Sequence, residues 1–385
     1  MSPARKIPFG RPWITDTERQ AVMEVLSGDV LTHGPQAHAF EKEFATFVGA
    51  GAHCLTTSSG MAALHLAYWQ LGIGPGDEVI VAAQTHVATA HAVEVVGAKP
   101  VFADCDLATG NVDPQRVEAL VTPRTRAIGI VHYAGIPCDM DAIMAIAARH
   151  GLKVIEDCAL AVGTRWRGKH AGLFGDAAIV SFYPVKHITT GDGGMFVTRH
   201  ADLAAKVAKA RAFGVDRSFA ERAIPGVYDV PTLGINYRMS DINAAIGRKQ
   251  LERLAVILER RRSNFRRLKS ALAALPHVSV LDAPGPHAEN SHYCLTAVLE
   301  GYAGERRDEL VGRLNGAGVG TSVYYPHPVP RLKYYRDKYG YDPSRYPNAE
   351  RISDRAIALP VGPHVADEDI DYIARQFAQS LREIH

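Results

Sequence analysis

The sequence predicts an α/β protein with a large domain on a mainly parallel sheet, followed by a smaller C-terminal α+β domain. Two observations carry this. Between roughly residues 50 and 200, short runs that are apolar throughout alternate with helical stretches, the pattern of strands buried on both faces. After Asp241 the chain changes to a long charge-laced helical pattern and then to mixed strands and helices. The 385 residues are 47% hydrophobic and 22% charged, an ordinary composition for a soluble chain able to bury a sizeable core.

The elements follow in order. "TDTERQAVMEVLSG" reads as a first helix, with a capping box from Thr15 to Glu18 and a stop at Gly28. "HAFEKEFATFVG" reads as a second, with Phe40, Phe44 and Phe47 on one face. "HCLTTSS", "EVIVAA", "PVFADC", "AIGIVHY", "KVIEDC" and "AAIVSFY" read as strands, separated by helical stretches such as "GMAALHLAYWQLG" and "DMDAIMAIAARHG". From Asp241, "DINAAIGRKQLERLAVILERRRSNFRRLKSALAAL" reads as one connector helix, uninterrupted by proline until Pro276. "VSVLD", "HYCLTAVLE" and "GTSVYYP" read as strands of the smaller domain, and "RRDELVGRLNGAG" and "DEDIDYIARQFAQSLREI" as its helices. The expected division is residues 1–250, an arm and the large domain, and 251–385, the connector and the small domain.

Several classes are set aside by composition. A net charge of +2 without basic runs gives no case for nucleic acid or a membrane surface. Five scattered cysteines (Cys54, Cys105, Cys138, Cys158, Cys294) without CxxC spacing point to reduced thiols in the cytoplasm rather than a disulfide frame or zinc site. The start "MSPARKIPFGRPW" has no apolar core for export, and no apolar run reaches membrane-spanning length. "GIGPGD" precedes a strand, so it is a turn and not a dinucleotide fingerprint. His86 and His91 are five apart, off one helical face, which argues against a metal pair.

In open parallel sheets ligands bind beyond the carboxyl ends of the strands, so the residues just after each strand are the candidates. After "HCLTT" comes "SSGMAAL", a turn of small residues opening a helix whose first N–H groups suit a phosphate; a plain helix cap is the alternative. After "KVIE" comes Asp157, an acid that a buried strand end tolerates only with a partner. After "AAIVSFY", which carries Ser181, comes Lys186 in "SFYPVKHITTGDGG". Asp157 and Lys186 could form a structural ion pair. Together, however, a lysine able to form an imine, an acid for a pyridinium nitrogen and an anion site are what pyridoxal phosphate requires.

The motifs "LTHGPQAHAFEKEFATFVG", "SSGMAALHLA", "THVATAHAVEVVGAKPVFADCD", "VIEDCALAVGT", "SFYPVKHITTGDGG" and "LGINYRMSDINAAIGRKQL" cover nearly the whole chain. In them the sequence resembles the DegT/DnrJ/EryC1/StrS sugar aminotransferases, a branch of the fold-type I pyridoxal phosphate enzymes. The resemblance implies a large, mostly parallel seven-stranded sheet and a homodimer with shared active sites. It implies transfer of an amino group from L-glutamate to a keto or aldehyde sugar, usually nucleotide-linked, for surface polysaccharides such as lipopolysaccharide or for natural products. It makes Lys186 the imine-forming lysine and Asp157 the partner of the pyridine nitrogen. Ser59, Ser181 and the backbone at Gly60 and Met61 would hold the phosphate, Asn236 would reach it from the other subunit, and His86 would stack on the cofactor face.

Two departures stand out. Relatives usually have threonine where Met61 stands, leaving only backbone donors here; they usually have glutamine or histidine where Leu160 stands, and leucine cannot bond the cofactor's ring hydroxyl. Relatives that remove a hydroxyl instead of transferring an amine carry histidine at the position of Lys186; here His187 is one place too late. Another pyridoxal phosphate reaction, a dehydration or lyase step, and a non-catalytic regulator are the competing readings. "YYPHPVP" (Tyr324 to Pro330) either lines the sugar site or is a rigid loop.

Overall fold

The computed structural model describes residues 5–32, 34–216, 224 and 226–384. The first four residues of the N-terminal stretch, and His33 within "LTHGPQ", lie outside the described residues. All six expected strands of the large domain form: β1 (His53–Thr57), β2 (Glu78–Ala82), β3 (Lys99–Ala103), β4 (Thr125–Val131), β5 (Lys153–Asp157) and, after the two-residue strands β6 (Arg165–Trp166) and β7 (Lys169–His170), β8 (Ala177–Ser181). A seventh, β9 (Gly194–Thr198), has no counterpart among the strands read from the sequence. The sheet order is β1-β9-β8-β5-β4-β2-β3. β9 runs antiparallel to both its neighbours, and the other pairs are parallel.

Alternate residues of each strand serve opposite cores, which explains why the strands are apolar throughout. Val79 and Val81 pack toward Leu64, Leu66, Tyr68 and Val93, whereas Ile80 and Ala82 pack toward Met140, Ile143 and Ile146. The helices concerned are, in chain order, α1 (Asp16–Leu26), α2 (Pro35–Val48), α3 (Gly60–Gln70), α4 (Val87–Val95), α5 (Pro114–Ala119), α6 (Met140–His150) and α7 (Ala201–Ala210). The Thr15 N–H donates to Glu18 at 2.7 Å, as the capping pattern requires. The face of α2 carrying Phe40 and Phe44 is buried against Phe182, with ring centroids 5.2 and 5.7 Å away.

The connector is two helices, not one: α8 (Asp241–Glu252) and α9 (Leu254–Leu272), broken at Arg253 with φ −104° and ψ 3°. The cause is a tertiary anchor. Gln250 Nε2 donates to Glu18 Oε1 at 2.8 Å and to the Trp13 carbonyl at 2.9 Å. The Arg253 guanidinium bonds Glu18 and the same carbonyl, and lies 4.8 Å from the Trp13 ring. Burial alone would raise the Glu18 pKa, but bonds from Thr15 and Gln250 and the Arg253 charge hold it at about 2. So α8 is pinned to α1, and α9 leaves in a new direction.

Beyond α9, β10 (Val278–Val280), β12 (Leu295–Leu299) and β13 (Ala356–Leu359) form an antiparallel sheet, while β11 (Ala288–Glu289) pairs with β6. The remaining helices are α10 (Gly301–Glu305), α11 (Arg307–Gly316), α12 (Lys333–Tyr339), α13 (Pro347–Arg355) and α14 (Asp367–Glu383). Phe265, Leu268 and Leu272 of α9 pack with Leu295, Ile357, Leu314 and Phe377 in this second core. "GTSVYYP" is not a strand. Within the small sheet it pairs only at Ser322 with Ala358, after Gly320 has bonded the Ile7 carbonyl at 2.8 Å, because the chain then leaves the sheet for the large domain. No helix among the described residues is long and apolar enough to cross a membrane.

Candidate functional site

The parallel strands end at one edge, and Ser59, Gly60, Met61, His86, Asp157, Ser181 and Lys186 stand at or just beyond strand ends there. β1 leads into α3 through Ser59, whose Oγ accepts from the Ala62 N–H at 3.1 Å and so is already in use as a cap. The first N–H groups of the helix, at Gly60 and Met61, have no intrahelical acceptor. Two glycines allow close packing here: a Cβ on Gly60 would lie 3.1 Å from the Ser181 Cβ, and one on Gly194 would lie 2.4 Å from the Ser59 carbonyl oxygen. The helix start therefore sits against the end of β8, where Ser181 Oγ accepts only a long bond, 3.4 Å, from the Tyr183 N–H.

Asp157 ends β5 and is 3% exposed. Its Oδ1 accepts from the Ala159 N–H and its Oδ2 from the Thr89 hydroxyl, each at 2.9 Å. Thr89 in turn meets the Thr85 hydroxyl at 2.9 Å. Lys186 sits in the turn after β8, its N–H bonded to the Tyr183 carbonyl. Its Nζ lies 5.4 Å from the Tyr293 ring centroid and makes no hydrogen bond or ion pair among the described residues. The structural ion pair with Asp157 does not close. Burial lowers the Lys186 pKa to about 8, partly opposed by the charge of Asp157.

His86 is the N-cap of α4, its Nδ1 accepting from the Ala88 N–H at 3.2 Å. Burial pushes its pKa down, which favours the neutral ring that a cap acceptor needs. Its ring lies 5.7 Å from that of Tyr325. Tyr324 and Tyr325 come from "YYPHPVP", which crosses to the strand ends. Gln84 Nε2 donates to the Tyr324 carbonyl at 3.0 Å, the Tyr133 hydroxyl donates to it as well, and the Val329 N–H reaches the Ala83 carbonyl at 2.9 Å. The Tyr324 and Tyr293 hydroxyls are 2.6 Å apart. The stretch thus brings two tyrosines to this edge, while His327 faces outward beside Arg331.

The structure does not bring Asn236 into this cluster. Its side chain is exposed and accepts from Arg238 Nε at 2.9 Å. Leu160 is buried, offering only its carbonyl, to Ser291 Oγ at 3.3 Å. His91 is taken up by Tyr335, stacked on its ring and bonded to its hydroxyl at 2.8 Å. His132, Glu156 and Cys158 lie together in the core, but Glu156 is engaged by the N–H groups of Gly172, Phe174 and Gly175 and by His132 Nε2. That is a satisfied hydrogen-bond network. A groove of about 700 Å³ beside Arg262, Arg266 and Lys269 includes none of the strand-end residues. Thr89 and Tyr293 were not singled out from the sequence, whereas Tyr325 belongs to the "YYPHPVP" stretch that was; the hint for Thr89 was one hydroxyl in an otherwise apolar helical turn, "VATA".

The strand-end arrangement suits pyridoxal phosphate: a half-buried amine with no hydrogen-bond or ion-pair partner among the described residues, a hydrogen-bonded buried carboxylate, and a helix start packed against a serine. Comparison with known proteins agrees. The DegT/DnrJ/EryC1/StrS aminotransferase family matches residues 12–378. The spore coat polysaccharide biosynthesis protein SpsC of Bacillus subtilis (strain 168) is 40% identical over 372 residues, covering 95% of this chain and 94% of SpsC. Spr1654 from Streptococcus pneumoniae, 28% identical, superposes over 99% of this chain and 100% of its own, with TM-scores of 0.93 in its PMP-form and 0.92 in its PLP-form. Helicobacter pylori PseC, an aminotransferase involved in the biosynthesis of pseudoaminic acid, is 25% identical with a TM-score of 0.92, covering 98% of this chain and 100% of its own.

Proposed function

The chain belongs to the DegT/DnrJ/EryC1/StrS aminotransferase family and is a pyridoxal phosphate-dependent sugar aminotransferase, and from that premise we propose that it moves the amino group of L-glutamate to a keto or aldehyde sugar, one carried on a nucleotide. The observation that carries the site is the Lys186 amine, half-buried, without an ion-pair or hydrogen-bond partner among the described residues and lowered in pKa to about 8, on the same strand-end edge as Asp157.

Bound there, pyridoxal phosphate supplies an electron sink that acidifies a proton on the amino-bearing carbon. Lys186 would hold it covalently, and the Lys186 Nζ, released, takes that proton and returns it, as base and then acid. Asp157 would face the ring nitrogen and hold positive charge on it, with Thr89 keeping the carboxylate in place. The phosphate would rest on Ser181, Ser59 and the N–H groups of Gly60 and Met61, and His86 would cover one face of the ring. Leu160 supplies no hydrogen bond to a ring hydroxyl, unlike the residue usual in relatives.

The protein works as a cytoplasmic homodimer in this reading, with Asn236 reaching the partner's phosphate. The exposed apolar residues Phe213, Ile224, Val227, Tyr228 and Leu233 near Asn236 in the chain support such an interface. A large domain up to residue 250 and a small one from 251 accords with the break at Arg253.

The test mixes the pyridoxamine form with a panel of free and nucleotide-linked keto-sugars and follows the return of pyridoxal absorbance. Return with one sugar, with 2-oxoglutarate formed from L-glutamate in proportion to amino sugar, is expected. Sugar consumption without 2-oxoglutarate would assign the protein to the dehydratase or lyase reaction instead.

A further inference from the structure

We propose that Arg261 recognises the distal carboxylate of the amino donor and so selects a dicarboxylic amino acid. This deepens the reading of the site given above and rests on it.

Arg261 lies on α9 and is only 5% exposed. Among the described residues no carboxylate pairs with it. Its Nη1 donates to the carbonyls of Tyr293 at 2.8 Å and His292 at 3.5 Å, and its Nε has no partner. A guanidinium buried without a counter-charge is strongly disfavoured, and burial draws the pKa of this one down to about 10. Carbonyl clamping does not account for the charge. Three residues further along the same helix, buried Asn264 holds the carbonyls of Val361, Gly362 and Val365 at 3.3, 3.2 and 3.1 Å with a neutral amide. The titratable side chains that act on the guanidinium or feel it include Tyr293, Tyr324 and Cys294, kept neutral by burial, and His187, His292 and His364, each held neutral first by burial and then in part by Arg261 itself. The acids that act on this group from further off, Asp282 and Asp369, are paired with Lys269 and Arg5. The negative charge is left for a ligand to bring.

The position suits a donor substrate. Arg261 Cζ is 6.0 Å from the Tyr293 ring centroid and Lys186 Nζ is 5.4 Å from it, so the two cations are at most about 11.4 Å apart. In a five-carbon dicarboxylic amino acid the distal carboxyl carbon lies about 5 Å from the nitrogen by ordinary bond lengths. A two-pronged carboxylate–guanidinium pair adds about 4 Å between carbons. A donor nitrogen beside Lys186 would span about 9 Å to a guanidinium with its distal carboxylate and about 6.5 Å with its α-carboxylate; both fall within that bound, and the longer reach suits a guanidinium and an amine that share Tyr293 as a neighbour without meeting each other.

The experiment uses the cofactor-loaded protein. Malonate, succinate, glutarate, adipate and the monocarboxylate valerate are tested as competitors of L-glutamate, and glutarate and valerate are titrated calorimetrically. Glutarate should bind at least about 10-fold more tightly than valerate. Arg261→Gln, which keeps a donor for the Tyr293 carbonyl, should abolish that preference and raise the KM for L-glutamate at least about 30-fold, with a smaller effect on kcat. Arg261→Lys should recover part of it. Equal binding of glutarate and valerate by the unaltered protein overturns the proposal, and that comparison decides alone if the variants do not fold. An unchanged KM in a folded Arg261→Gln protein overturns it too. Failure of the broader reading looks different: the unaltered protein would transfer no amino group from any donor.

Discussion

The Thr89 hydroxyl, in the first turn of α4, donates a 2.9 Å hydrogen bond to Asp157 Oδ2 at the end of β5. The bond ties the helix that follows β2 to the end of β5, across the intervening β4, and leaves the carboxylate a fixed orientation, with its other oxygen held by the Ala159 N–H. Asp157→Asn should keep the fold and lose at least about 100-fold in turnover, the scale of a positioned charge in a water-poor site. Thr89→Val should lose about 10-fold, the worth of one hydrogen bond to a charged group. Steady-state kinetics on folded, cofactor-loaded variants check both, and near-normal turnover of Asp157→Asn would make its role structural only.

Capture of pyridoxal phosphate by the cofactor-free protein should rise with pH through about 8, the value to which burial lowers Lys186. Below it the amine is protonated and cannot attack; an ordinary lysine would not lose its proton until about 10.4. Between those values the unfolded chain holds a proton that the folded one has released, so Lys186 makes the protein more stable as pH rises through that window. Capture rates read from visible absorbance check the first point, with Lys186→Ala as the blank. A midpoint near the ordinary lysine value would show a solvated amine.

His86 has two separable parts, a ring and a capping nitrogen. His86→Asn keeps a good N-cap and removes the ring, so stability should hold while the cofactor dissociates faster. His86→Phe keeps a flat ring and loses the cap, so it should retain cofactor and lose about 1 kcal/mol of stability. Denaturant melts and cofactor release rates measure the two effects. Identical release from both variants would remove the stacking role.

A shared site predicts complementation. Lys186→Ala and Asn236→Ala chains, each nearly inactive alone at scarce cofactor, should regain activity when co-expressed. Each heterodimer rebuilds one unaltered site, so random pairing restores about a quarter of the sites. Replacing exposed Leu233, 77% accessible in the single chain, with aspartate should shift the protein toward monomer in sedimentation. Heterodimers with no more activity than the two parents together would mean that the sites are not shared.

Much of this was legible along the chain because the signals are local. An apolar run bounded by glycines, prolines and helical stretches declares a strand wherever it packs, and six strands of the large sheet, with Asp157, Ser181 and Lys186 at or just beyond their ends, follow from that pattern. Three things did not follow. β9 inserts between β8 and β1 with reversed direction, which pairing partners decide and the strand's own residues do not. The helical pattern runs unbroken through Arg253, and only the attachment of Gln250 and Arg253 to Glu18 and Trp13, far back in the chain, interrupts it. The surroundings of Lys186 are likewise tertiary. Tyr293 comes from just before β12 and Tyr325 from the segment that leaves the small sheet at Ser322, so no spacing along the sequence places the first beside the amine or the second beside His86. The sequence by itself determined which side chains stand at the sheet edge, since strand periodicity is a short-range property. Which partners they meet, and that Lys186 closes no ion pair among the described residues, depended on contacts between distant segments and was decided only when the chain folded.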